Sequence, residues 1–171
     1  NGSKGVGDGN GFKTGGSDKK DLAHNAILLN TIAAGNAERG FDQNFNRGEI
    51  TILNSVAYKN GFNIAALTTS PAKKLTVKNS ISYEPVKAPD TLYAETTDIS
   101  NNSWQDGLKV SADDFESLDI DELLAPRKPN GDLPDVKFFK LKADSDLVDA
   151  GTYVGIDFKG QAPDIGAFEL K

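Results

Sequence analysis

The 171-residue chain has no cysteine and no methionine, one histidine and one tryptophan. Without cysteine there is no disulfide framework and no thiolate metal site. A single histidine rules out His-rich metal clusters and leaves His24 as the sole candidate for a Ser-His-Asp triad. His24 precedes an apolar strand pattern and has no Ser/Asp context, so a structural role fits it better. No apolar run approaches the ~20 residues that span a membrane. An opening of Asn1-Gly2-Ser3-Lys4-Gly5 carries neither an initiator Met nor a signal peptide, which reads as a processed or truncated piece of something longer. What is present suffices for one domain with a real core: 37% hydrophobic residues, with nine Phe and four Tyr arguing against disorder.

The net charge of −6 conceals a division. Residues 1–80 hold 10 Lys/Arg against 6 Asp/Glu, and residues 81–171 hold 9 against 19, so the halves carry +4 and −10. The basic half suits a polyanion and the acidic half a solvated surface. Nucleic acid fits poorly, since no basic helix and no interleaving of basic with aromatic residues is visible.

Three segments repeat: Ala26–Ala34, Ile50–Tyr58 and Leu75–Tyr83. Aligned on Asn30, Asn54 and Asn79, they are spaced 24 and 25 residues apart. Each alternates with period two through its asparagine, and β-branched residues dominate, so the elements are strands of a solenoid and not helical repeats. The pattern puts the asparagines inward. Stacked about 4.8 Å apart on successive coils, their amides would satisfy one another as a ladder. Between these segments Gly11-Phe12-Lys13 and Gly40-Phe41-Asp42 echo each other, with Phe62-Asn63-Ile64 a looser third copy. If Phe12, Phe41 and Ile64 point inward, then Lys13, Asp42 and Ala65 share the outer face. A right-handed parallel β-helix is the architecture that fits, with coils over 1–104 and an irregular acidic segment and cap over 105–171. In that second part Ser111 is set to cap a short helix anchored by Phe115 and Leu118. The six acids from Asp113 to Glu122 lack EF-hand spacing and read as a solvated surface. Phe138 to Glu169 is expected to wrap back and close the end of the array. Trp104 suits a sugar platform or the last coil's core equally.

Asp8-Gly9-Asn10-Gly11-Phe12-Lys13-Thr14-Gly15-Gly16, His24-Asn25, Gly40-Phe41-Asp42-Gln43-Asn44 and the Asn54, Tyr58-Lys59-Asn60 strand together resemble family 9 polysaccharide lyases. Those are secreted pectate lyases built as right-handed parallel β-helices. Ser145–Gly151 and Pro163–Glu169 resemble an ending common to many bacterial β-helix enzymes. The resemblance implies β-elimination on polygalacturonate. A lysine base, matched by Lys13, takes the C5 proton, the C4 oxygen departs, and Ca2+ on the uronate carboxylate acidifies that proton. To serve as base Lys13 must be neutral; nearby cations favour that and Asp42 opposes it. The glycines around Lys13 are expected to let a sugar approach the backbone. Arg39 and Arg47 are candidates for pairing with substrate carboxylates, and Asp42, Gln43 and Asn44 for lining the groove. The family's calcium ligands are aspartates on coils before the Lys13 segment, so no metal ligand is assigned in this chain and the ligands are expected upstream of Asn1. Asp8 lies near the site without matching that cluster. The expected partners are therefore an anionic polysaccharide and the missing N-terminal coils, in a secreted, periplasmic or cell-surface bacterial protein whose isolated C-terminal portion is inactive. A lyase for another polyuronate and a non-catalytic glycan-binding β-helix remain as alternatives.

Overall fold

The computed structural model describes residues 7–19, 22–132 and 134–170; the opening Asn1–Gly5 segment lies outside them. In chain order the strands are β1 (Phe12–Lys13), β2 (Ala26–Leu29), β3 (Ile32–Ala34), β4 (Arg39–Asp42), β5 (Glu49–Leu53), β6 (Val56–Tyr58), β7 (Phe62–Ala66), β8 (Ala72–Lys78), β9 (Ile81–Tyr83), β10 (Thr91–Leu92) and β11 (Ala94–Ser100). They form three sheets, β1-β4-β7-β10, β2-β5-β8-β11 and β3-β6-β9, and every pairing is parallel. Each coil visits the second sheet, the third and then the first, which makes a parallel β-helix. The 24- and 25-residue repeat is the pairing register itself: Ala26↔Ile50↔Leu75 and Ile32↔Val56↔Ile81.

The asparagines do not continue a strand. Asn30, Asn54 and Asn79 adopt left-handed backbone, with φ of 51°, 45° and 51°, and form the corner between second and third sheets. Asparagine accepts this conformation far more readily than most residues. A fourth member, Asn101 with φ 54°, carries the corner into the last coil. The turn reverses which side chains face inward. Before it, Ile50 and Ile52 fill the interior; after it, Ala33 and Ala57 do so. Ile32, Val56 and Ile81, expected inside with Leu28, instead lie on the opposite face with Tyr58 and Tyr83. A slip of one residue in a pleated strand exchanges its faces. The predicted ladder survives as one step, Asn79 Nδ2 donating to Asn54 Oδ1 at 3.0 Å, while Asn30 is exposed. A second buried amide chain runs elsewhere: Asn36 Nδ2 donates to Asn60 Oδ1 at 2.7 Å, and Asn60 Nδ2 to Asn63 Oδ1 at 2.9 Å.

The chain beyond residue 105 covers that reversed face. Phe115, Phe138, Phe139, Leu141, Leu147 and Ile165 pack with Val56, Tyr58 and Ile81 into a second core. The covering segment thus lies along the flank of the coils, and Thr152 N donates to Asn79 Oδ1 at 2.9 Å to hold it there. Ser111 caps as expected, but a single 3-10 turn, Ala112–Asp114, follows, and Phe115 lies just past it. Several acids here organise backbone: Glu122 Oε2 accepts from the N–H groups of Lys137 and Phe138, and Asp114 accepts from Ser111 and Ser145.

Candidate functional site

On the first sheet Phe12 pairs with Phe41 and Lys13 with Asp42, then Phe41 with Ile64 and Asp42 with Ala65. Phe12 and Phe41 stack at 5.5 Å between ring centroids, and Phe41 and Ile64 are buried in the interior core. Alternation along the strand therefore sends Lys13 outward, as expected. Its Nζ donates to Asp8 Oδ2 at 2.7 Å, with 37% of the lysine side chain exposed. Asp8 is held below the usual carboxylate range by this bond.

Asp42 shares the outer-face register but is only 1% exposed. Its Oδ1 accepts from Asn44 N–H at 3.0 Å, and its Oδ2 is buried without a hydrogen-bond partner. Arg39 Nη1 lies 3.7 Å from that oxygen. Burial raises the Asp42 carboxyl above its ordinary value, and Arg39, the Asn44 N–H and Lys13 offset part of the rise. Arg39 is itself placed by Asn10, whose Oδ1 accepts its backbone N–H at 3.0 Å, and its guanidinium lies 5.9 Å from the Phe62 ring centroid.

The structure thus brings Asp8, Lys13, Arg39 and Asp42 into one charged cluster, with Asn44 touching it through its backbone. Arg47 lies at the far end of the next turn, where its backbone pairs with Leu22 and Lys73. Gln43 does not line a groove. It is 3% exposed and clamps the corner, donating to Asn46 O and Ser70 O and accepting from Leu67 N–H. The glycines also have a packing role. A Cβ on Gly11 would lie 2.7 Å from Gly40 O and 2.8 Å from Asn36 Nδ2, and one on Gly15 would meet the backbone of Asn44 and Asn46. At both positions the missing side chain admits the neighbouring coil. The His24 backbone exchanges hydrogen bonds with the Asn46 side-chain amide. Trp104 is 37% exposed in the turn after the last coil.

Asp8, passed over as a ligand, proves to be the partner of Lys13, and only its closeness in sequence hinted at that. Among the described residues no three His, Cys, Asp or Glu side chains are grouped to hold a metal ion. Asp8 is engaged by Lys13 and Asp42 by Asn44, so this cluster does not fit calcium, which takes six to eight oxygens. What it can offer is an amine able to exchange a proton and a guanidinium suited to a carboxylate.

A family model described as the Pel9A-like right-handed beta helix region matches residues 1–84, and one described as rhamnogalacturonan lyase-like, C-terminal, matches residues 94–167. Pectate lyase L of Dickeya dadantii (strain 3937) is 37% identical over 166 residues, covering 96% of this chain and 37% of that protein. Pectate lyase L of Paenibacillus polymyxa (strain SC2) is 36% identical over 155 residues, covering 86% of this chain and 32% of that protein. The crystal structure of pectate lyase Pel9A superposes with a TM-score of 0.82 at 36% identity, over 97% of this chain and 40% of that one. A rhamnogalacturonan lyase structure reaches 0.61 at 32% identity, over 71% of this chain and 31% of that one. These matches make the coils a right-handed parallel β-helix of the polysaccharide-lyase class. Within that class the chain belongs to family 9, and it spans little more than a third of the length of its Dickeya relatives.

Proposed function

We propose that this chain is part of a secreted pectate lyase that cleaves polygalacturonate by β-elimination, with Lys13 as the base. The observation that carries the reading is the outward placement of Lys13 on β1, beside Arg39 and over the buried Asp42. An incoming uronate carboxylate would draw the Lys13 Nζ away from Asp8 and pair with Arg39. Once Lys13 has left Asp8 and released its extra proton to solvent, the neutral amine takes the C5 proton, the C4–O bond breaks, a C4=C5 double bond forms and the departing C4 oxygen takes up a proton. Asp42 and Asn44 hold the groove floor, and Arg47 meets the polymer further along the turn. In the whole protein a calcium ion would withdraw charge from the substrate carboxylate, with ligands outside the described residues. Residues 1–104 supply coils and 105–171 their covering segment, with further coils of the same protein as partner; the greater length of the relatives supports this. No helix among the described residues is long and apolar enough to cross a membrane.

The test follows unsaturated uronate formation on pectate by the protein that carries this chain. Lys13→Ala is expected to remove turnover by about 10²–10⁴-fold, the usual contribution of a positioned base, and full activity in that variant overturns the assignment. The isolated 171-residue chain is expected to be inactive on its own. The match of residues 94–167 to a rhamnogalacturonan lyase-like region favours a second polyuronate as the alternative substrate, which the same assay distinguishes.

A further inference from the structure

Asp42 stands where a carboxylate is costly. It is 1% exposed; one oxygen takes the Asn44 N–H at 3.0 Å, and the other, Oδ2, is buried without a hydrogen bond. Packing alone does not call for an acid here, since a neutral side chain of the same shape would lose less solvation free energy. Too deep to meet a polymer directly, the carboxylate can act only through a neighbour. Its backbone is held on both sides. The Asp42 carbonyl accepts the Thr14 N–H at 2.9 Å, and the residue pairs in register with Lys13 on the preceding coil and Ala65 on the next. Along that outer row Ala65 brings no side-chain donor, and the Lys13 Nζ is engaged by Asp8 at 2.7 Å. Arg39 Nη1 faces Oδ2 from 3.7 Å, an ion pair without a hydrogen bond. Such a contact orients the guanidinium and leaves N–H groups for a ligand. Two further contacts hold the arginine. Asn10 Oδ1 accepts its backbone N–H at 3.0 Å, and its guanidinium lies 5.9 Å from the ring centroid of Phe62, its partner in register on β7. With 35% of its side chain exposed, Arg39 reaches solvent from a buried footing.

We propose that Asp42 is a positioning residue for Arg39: it fixes the guanidinium, beside the Phe62 ring, in the orientation that receives the carboxylate of one uronate unit. An arginine fork recognises a carboxylate through two parallel N–H donors, which works best when its plane is aimed before contact. A free arginine loses rotamer freedom on binding; one already held loses less, so more of the pairing free energy appears as affinity. The polymer meets Arg39 and Lys13, while the Asp42 carboxylate stays buried. The proposal rests on reading the Lys13 cluster as the lyase site.

The experiment uses the protein that carries this chain and compares Asp42→Asn, Arg39→Gln and the double variant, with thermal unfolding as a check on folding. The readouts are KM and kcat on pectate, and calorimetric binding of tetragalacturonate in a Lys13→Ala background, where the ligand is not cleaved. Asp42→Asn keeps an acceptor for the Asn44 N–H. It is expected to weaken binding by about five- to tenfold, the scale of freeing one rotamer-rich side chain, with KM rising more than kcat falls. Removing a negative charge beside a polyanion acts in the opposite direction, so weaker binding isolates the positioning effect. Arg39→Gln should weaken binding at least as much, and adding Asp42→Asn to it should change little further. Asp42→Ser, smaller and neutral, carries the same expectation and serves where the asparagine variant does not fold. Unchanged or tighter binding in the Asp42 variants overturns the proposal, as does an Asp42 effect that persists in full beside Arg39→Gln. Unchanged binding in Arg39→Gln removes the carboxylate contact itself and the proposal with it. The Lys13 reading fails separately: Lys13→Ala that keeps full turnover sinks it, and the KM comparison then remains as the readout for Asp42.

Discussion

At the scale of single residues, Asp42 shows how burial alters a reading made from pattern. Alternation puts it on the same face as Lys13, and the pairing register agrees. Yet its side chain is 1% exposed, with one oxygen lacking a hydrogen bond. A carboxyl raised by burial is most stabilising when protonated, so its contribution is fully present below the ordinary value near 3.9 and is lost as pH rises through the raised folded value. Replacing Asp42 with Asn removes that titration while its Oδ1 can still accept from Asn44. Melting temperatures measured from about pH 4 to pH 7 should therefore show Asp42→Asn gaining on wild type as pH increases. Parallel curves would mean that Arg39 and Lys13 fully compensate the buried charge.

At the scale of elements, the repeat was readable because its period is the coil length, while the face each strand presents was not. Left-handed corners at Asn30, Asn54, Asn79 and Asn101 decide that, and asparagine in a strand-like pattern does not announce a change of backbone hand. The four corners also differ in worth. Asn79 Nδ2 donates to Asn54 Oδ1 and Thr152 O, and its Oδ1 accepts from Thr152 N–H. Asn30, exposed at the first corner, forms no comparable side-chain network. Asn79→Ala is expected to cost about 2–4 kcal/mol by chemical denaturation, from lost hydrogen bonds plus the left-handed penalty. Asn30→Ala should cost about 1–2 kcal/mol, from the backbone term alone. Equal costs would show that the network adds nothing to the corner.

At the scale of the whole molecule, two cores share one wall. The third sheet contributes Ala33 and Ala57 to the interior, while Val56, Tyr58 and Ile81 on its other face meet the covering segment. A sheet apolar on both faces must be covered twice, and Phe138, fully buried 5.9 Å from the Tyr58 ring centroid, lies at the centre of the outer layer. Phe138→Ala is expected to destabilise by about 3–5 kcal/mol, as large-to-small changes in cores do. A cost near zero would mean the covering segment contributes little to the fold. Some acids of this half pair with lysines of the basic coils, Glu84 with Lys59 and Asp98 with Lys78, while Glu122 and Asp164 accept backbone N–H groups.

The sequence by itself determined the parallel coils, their 24- and 25-residue spacing, the inward Phe12–Phe41–Ile64 row and the outward placement of Lys13. Each of these follows from periodicity, which local chemistry writes directly into the residue order. Only the tertiary structure decided the rest. It reversed the third sheet at the asparagine corners, assigned Gly11 and Gly15 to contact between coils, and paired Lys13 with Asp8. It also buried Asp42. Those outcomes depend on which backbone passes within a few ångströms of which side chain on the neighbouring coil. Apart from the Lys13–Asp8 pair, five positions apart, that proximity arises between residues on different coils, where no local pattern in the sequence records it.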